Sequence, residues 1–199
     1  RTPLHAILGL SEVLRREVVE PVARERLALV TQASDHLLAL INNVLDISKI
    51  ESGKFALAAV EMRIGDVFAR VLAMLHEDAQ RKGLALNAEI DVDASSRVLG
   101  DPTRLVQVLL NFAGNALKFT PAGAVTLRCR RTEGEASLYR FEIQDSGPGI
   151  SPADRSRIFE SFEQGAGATP QPGAGSGLGL TINRHLVRAM GGEVRLHST

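Results

Sequence analysis

A change of hydrophobic period near residue 53 constrains this chain more than any other single feature. Before it, Leu4, Ile7, Ser11, Leu14 and Val18 recur at steps of three and four. After Pro21 the same steps join Leu27, Val30, Ser34, Leu37, Ile41, Val44 and Ser48. Two seams of this kind read as a helical hairpin with its turn near Pro21. A lone hairpin leaves residues such as Ile47 and Ile50 without cover. Two hairpins packed as a four-helix bundle supply that cover, so a homodimer is expected. An intramolecular helical cap on the following region is the competing arrangement.

From Phe55 onward the pattern alternates between strand and helix. FALAAVEM (55–62), LALNAEID (84–91), RVLG (97–100), AVTLRCRR (124–131), LYRFEIQD (138–145) and EVRLH (193–197) read as strands, the last at an edge. Helices are expected over 64–81, over 103–118, briefly after Ser151-Pro152, and up to about Met190 before Gly191-Gly192. Asp101-Pro102 and Ser151-Pro152 each place a capping side chain ahead of a first-turn proline. The sum is an all-α helical hairpin followed by an α/β sandwich, with a mixed sheet covered by helices on one face. Residues 163–177 hold five glycines and two prolines, which marks a loop between the last two helices.

Composition removes several classes of function. Among 199 residues the basic and acidic side chains balance to a formal charge of zero, against a nucleic-acid or anionic-membrane partner. A lone Cys129 allows neither a disulfide framework nor a thiolate metal cluster, and it fits a reducing, cytoplasmic setting. His36, His76, His185 and His197 lack metal-site spacing, and His5 reads as a surface or bundle-rim residue. No apolar run approaches the roughly 20 residues that cross a bilayer. A membrane anchor elsewhere in a longer parent is compatible with all of this, because the chain opens at Arg1 without Met.

Three short segments carry the chemistry. In the helix over 103–118, Leu105, Val108, Leu109, Phe112 and Ala116 form one stripe, and Asn111, Asn115 and Lys118 form a second. Asn is a poor helix former, so two on one face need a reason. Amide oxygens suit a hard cation such as Mg²⁺, and Lys118 suits a phosphate. A solvated polar face is the bland alternative. DSGPGI (145–150) follows a strand directly; its carboxylate can accept from an exocyclic amine while its glycines admit a planar base. GSGLGL (175–180) opens a helix whose N–H groups favour an anion. Each segment alone is weak. A dinucleotide fold would need its glycines after the first strand, and a phosphate loop would need a Lys-Ser or Lys-Thr; neither is present.

Together, NFAGNALKF, DSGPGI, RIFESFEQ and GSGLGL resemble, in order, the N, G1, F and G2 boxes of bacterial sensor histidine kinases. RTPLHAILG resembles the tail of their H box, and LINNVLDISKIESGKF the end of their second dimerisation helix. The resemblance covers nearly the whole chain. It implies a dimerisation and histidine-phosphotransfer hairpin over 1–53 and an ATP-binding domain over 54–199. It implies that Asn115 ligates Mg²⁺, that Asn111 lies beside the triphosphate, and that Lys118 touches phosphate. Asp145 would read the adenine amine in a pocket shaped by Gly147 and Gly149. Phe159 and Phe162 would anchor a lid, whose hinge and phosphate-facing backbone come from Gly175, Gly177, Leu178 and Gly179. Thr2 matches a position tied to phosphatase activity.

The implied reaction is Mg-ATP-dependent autophosphorylation of a His, then transfer to an aspartate on a response-regulator receiver domain. The acceptor His is expected three residues before Arg1, and one more strand is expected beyond LHST. Two other readings stay open. One is an ATPase resembling gyrase or the heat-shock chaperones, though these use a Glu base where this chain has Asn111. The other is a nucleotide-binding dimerisation scaffold without transfer.

Overall fold

The computed structural model describes residues 2–18, 20–52, 55–92, 97–132, 138–155, 157–158 and 179–198. The chain divides into two compact units, Arg1–Phe55 and Ala56–Thr199.

The first unit is a pair of helices, α1 (Thr2–Glu17) and α2 (Pro21–Glu51). Pro21 stands in the first turn of α2, where its missing N–H costs nothing. Arg24 reaches back to donate to the Val18 carbonyl at 3.0 Å and steadies the link between the helices. The seam behaves unevenly. Ser11 and Ser34 are buried, whereas Ile7, Leu14, Val30, Leu37, Val44 and Ser48 remain exposed. A long apolar stripe is thus left uncovered among the described residues.

The second unit contains β1 (Val60–Arg63), α3 (Ile64–Lys82), β2 (Ala85–Asp91), β3 (Arg97–Gly100), α4 (Pro102–Phe119), β4 (Ala124–Arg131), β5 (Tyr139–Asp145), α5 (Pro152–Arg155) and α6 (Gly179–Ala189). Strands β2, β4 and β5 form a mixed sheet in that order. β2 runs parallel to β4, from Ala85 opposite Ala124 to Asp91 opposite Arg130. β4 runs antiparallel to β5, from Val125 opposite Asp145 to Arg131 opposite Tyr139. β1 and β3 pair separately as an antiparallel ribbon.

Strict alternation on β4 turns Val125, Leu127 and Cys129 into the core, all fully buried. Onto them pack Ile64, Phe68 and Val71 of α3 and Leu105, Leu109 and Ala113 of α4. Truncating a fully buried residue such as Leu109 to Ala would cost about 2–5 kcal/mol. Arg128 points the other way and spans Glu89 on β2, with Nε 2.5 Å from its carboxylate, and Gln144 on β5. That hydrogen bond lowers the Glu89 pKa and raises that of Arg128. One face of the sheet is therefore apolar and helix-covered, and the other is polar.

Two strand expectations are corrected. Of 55–62, only the end from Val60 joins a strand, because β3 offers just four residues to pair with it. EVRLH shows the alternating exposure of a strand but is assigned to none. Periodicity reports which side chains face the protein; it does not supply a neighbouring backbone. Among the described residues, no helix is long and apolar enough to cross a membrane.

Candidate functional site

Helix α4 is the element on which the site is built. Asp101 caps it: Oδ1 accepts from the Arg104 N–H at 3.0 Å, and Oδ2 accepts from the Ala58 N–H at 3.0 Å. Pro102 follows in the first turn. At the far end, Lys82 of α3 donates to the carbonyls of Leu117 and Lys118, each at 2.7 Å. A cation at a helix C-terminus also meets the negative end of its dipole. Both ends of α4 are thus fixed by groups from outside it.

Two of the glycine segments meet this helix. Gly147 lies against its C-terminal end: a Cβ there would stand 2.7 Å from Asp145 Oδ1 and 3.4 Å from both the Phe119 carbonyl and Thr120 Oγ1. The Gly147 N–H donates to Asp145 Oδ1 at 2.8 Å, which holds the carboxylate at the mouth of the turn. Gly149 follows with φ of 75°, a conformation that glycine adopts without penalty. Ile150 then anchors the turn on both sides. Its N–H donates to Ser198 Oγ at 2.7 Å, and its carbonyl accepts from Arg155 Nε at 3.0 Å. Gly179, the first residue of α6, meets the middle of α4 instead. A Cβ there would stand 2.7 Å from Asn111 Oδ1.

Asn111 and Asn115 are half-buried on α4. Lys118 is exposed, with Nζ 5.3 Å from the centre of the Phe119 ring. Asp145, Gly147 and Gly179 are therefore gathered around one helix and its C-cap, over the nine steps from Asn111 to Thr120, or about 13 Å of axial rise. Phe159, Phe162, Gly175, Gly177 and Leu178 lie outside the described residues. So does the side chain of Thr2, although its backbone belongs to α1.

Two polar groups at this site escaped the sequence reading. Thr120 Oγ1 is buried with no hydrogen-bond partner among the described residues, beside the space that a Gly147 side chain would fill. An orphaned hydroxyl next to a half-open carboxylate turn fits a polar, planar ligand or its bound water. Asn183 of α6 is fully buried and bonded to Asn111. It was detectable in principle, being an asparagine inside a helix like Asn111 and Asn115.

The described residues contain no group of three or more His, Cys, Asp or Glu able to hold a metal. What α4 offers is amide oxygen, and a cation bound through few protein ligands, phosphates and water is the Mg²⁺ pattern.

Comparison with known proteins bears on the same segments. The family model described as Histidine kinase-, DNA gyrase B-, and HSP90-like ATPase matches residues 100–199, and the His Kinase A (phospho-acceptor) domain model matches residues 1–53. The chain belongs to this ATPase family. Its fused phospho-acceptor domain sets it among the histidine kinases.

Relatives include the signal transduction histidine-protein kinase BarA of Escherichia coli, 35% identical over the whole of this chain and 22% of that protein. The virulence sensor protein BvgS of Bordetella parapertussis is 40% identical over the whole chain and 16% of that protein. The chain thus spans about a fifth of the length of these relatives. Among solved structures, full-length ShkA in complex with AMPPNP superposes with a TM-score of 0.75 at 35% identity, covering 96% of this chain and 39% of that one.

Proposed function

We propose that this chain is the core of a two-component sensor histidine kinase: a dimerisation and phosphotransfer hairpin over 1–53 and an ATP-binding domain over 54–199. The observation that carries the reading is that one helix, α4, meets Gly179 at Asn111 and the Asp145–Gly147 turn at its C-terminal end. Relatives aligned over the whole of this chain are a signal transduction histidine-protein kinase and a virulence sensor protein.

In this reading Asp145 accepts from the exocyclic amine of adenine through its outward oxygen, the other being held by Gly147. Thr120 Oγ1 completes the polar lining of that end. Lys118 faces the phosphates, Asn111 lies beside the triphosphate with its amide oxygen towards the hydrated cation, and Asn115 would hold that Mg²⁺, which neutralises phosphate charge when bound. Positioning and charge neutralisation account for most of the acceleration in phosphoryl transfer, so no side chain here needs to act as a covalent intermediate of the ATP domain. The γ-phosphoryl passes to a His imidazole of the hairpin, expected before Arg1, and then to an aspartate of a response-regulator receiver domain. The exposed stripe of Ile7, Leu14, Val30, Leu37 and Val44 is the face on which two hairpins form a homodimer.

The test is an acid-lability assay on a chain extended upstream through the acceptor His and supplied with labelled ATP. Acid-labile, base-stable label on the protein is expected. Free phosphate alone would turn the reading to an ATPase, and absence of both would leave a nucleotide-binding scaffold.

A further inference from the structure

Asn183 sits on α6 with none of its surface exposed, on a helix that also buries Ile182 and Leu186. A buried amide needs its partners, and here their identity dictates its orientation. Asn183 Nδ2 lies 3.1 Å from the Val108 carbonyl of α4. A carbonyl only accepts, so Asn183 must present its NH₂ to Val108 and its oxygen to the other side. On that side Asn183 Oδ1 meets Asn111 Nδ2 at 3.2 Å. Asn111 Nδ2 also donates to the Gly179 carbonyl at 3.0 Å. Turning the Asn111 amide over would set its oxygen against two acceptors at once. One orientation therefore propagates from a backbone carbonyl through two side chains. Both Asn111 amide hydrogens are committed, and Oδ1 is the atom left to accept.

We propose that Asn183 is a positioning residue: it orients the Asn111 amide so that oxygen, not NH₂, is offered to the Mg-nucleotide. This rests on the reading of α4 as the nucleotide-bearing helix and adds to it a residue 72 positions away that touches no ligand itself. Gly179 belongs to the same device, since a Cβ there would lie 2.7 Å from Asn111 Oδ1 and 2.9 Å from Nδ2.

The experiment is a double-mutant cycle with Asn183→Leu and Asn111→Ala in the full chain, titrated with AMPPNP by calorimetry in Mg²⁺ and in EDTA. Asn183→Leu is expected to reduce the Mg²⁺-dependent gain in affinity by about tenfold, the scale of one hydrogen-bond contribution, with metal-free affinity unchanged. The double variant should match Asn111→Ala alone. Additive losses, or equal losses with and without Mg²⁺, overturn the role and leave Asn183 as core packing. A second measurement needs no variant: in the wild-type chain, exchange of the Asn111 side-chain NH₂ protons should be slowed relative to those of Asn115. Equal, fast exchange overturns the orienting bond even if Asn183→Leu fails to fold. A wild-type chain that binds no nucleotide overturns the functional reading and this role together; binding with normal Mg²⁺ dependence in Asn183→Leu overturns the role alone.

Discussion

Gly147 donates its backbone N–H to Asp145 Oδ1 at 2.8 Å, so the turn that follows β5 occupies one carboxylate oxygen and leaves the other outward. In the proposed base pocket Asp145 would supply the acceptor, while Gly147 fixes it and keeps the space beside it clear.

Asp145→Asn keeps an oxygen for Gly147 but replaces the outward acceptor with a donor. ATP affinity measured by calorimetry should fall by roughly 1.5–3 kcal/mol, the scale of a charged hydrogen bond. Unchanged affinity would remove Asp145 from the base site.

Gly147→Ala introduces a methyl group 2.7 Å from Asp145 Oδ1 and 3.4 Å from Thr120 Oγ1. The added carbon fills the side of the turn where the ligand is expected. A loss of nucleotide affinity larger than the loss of stability, which overpacking sets at about 1–3 kcal/mol, is the expected result in paired binding and urea titrations.

Asp101→Ala removes two hydrogen bonds at once, the helix cap to Arg104 and the longer-range bond to Ala58. The cap alone is worth about 0.5–2 kcal/mol, so urea denaturation should show a loss near or above the top of that range. A loss no greater than that of an ordinary cap would mean that the 56–59 segment is held by other contacts.

Leu37→Glu puts a charge on the exposed apolar stripe of the hairpin, where Leu37 keeps 50% of its surface. Covering the exposed half of one Leu in each of two chains contributes about 1.5–3 kcal/mol, and a charge there adds a desolvation cost, so sedimentation should reveal a dimer that becomes monomeric at micromolar concentration. A dimer that persists in the variant would assign the stripe to another cover.

Burial pushes the Cys129 thiol up from its ordinary 9.0 to about 11. A raised folded value means that the folded chain holds this proton more tightly. Its contribution to stability is complete below pH 9 and is lost as pH rises towards 11. Cys129→Ala should flatten that part of a stability–pH curve, and native Cys129 should resist alkylation at pH 8. Rapid labelling of folded protein would contradict the burial.

Much of this fold is written in local pattern. β4 was bounded by its alternation to the same residues the structure gives it, and α4 by Asp101-Pro102 at one end and the apolar stripe within. The family motifs added the expectation that three distant segments share a site. What local pattern withheld were bonds between residues far apart. Asp101 announces itself as a cap, but nothing near it announces Ala58. Asn183 looks like one more helical position until α6 is laid against Val108. EVRLH carries a strand's alternation without a strand's ladder, because a ladder depends on where another backbone lies.

Ile150 also gains its meaning at long range. Its N–H is answered by a hydroxyl 48 residues further along, at Ser198, while Arg155 grips its carbonyl. The segment around Ser198 is in this way tethered to the loop that would cradle the base, so a shift of that segment would be felt at the rim of the proposed pocket through the Ser198 hydroxyl.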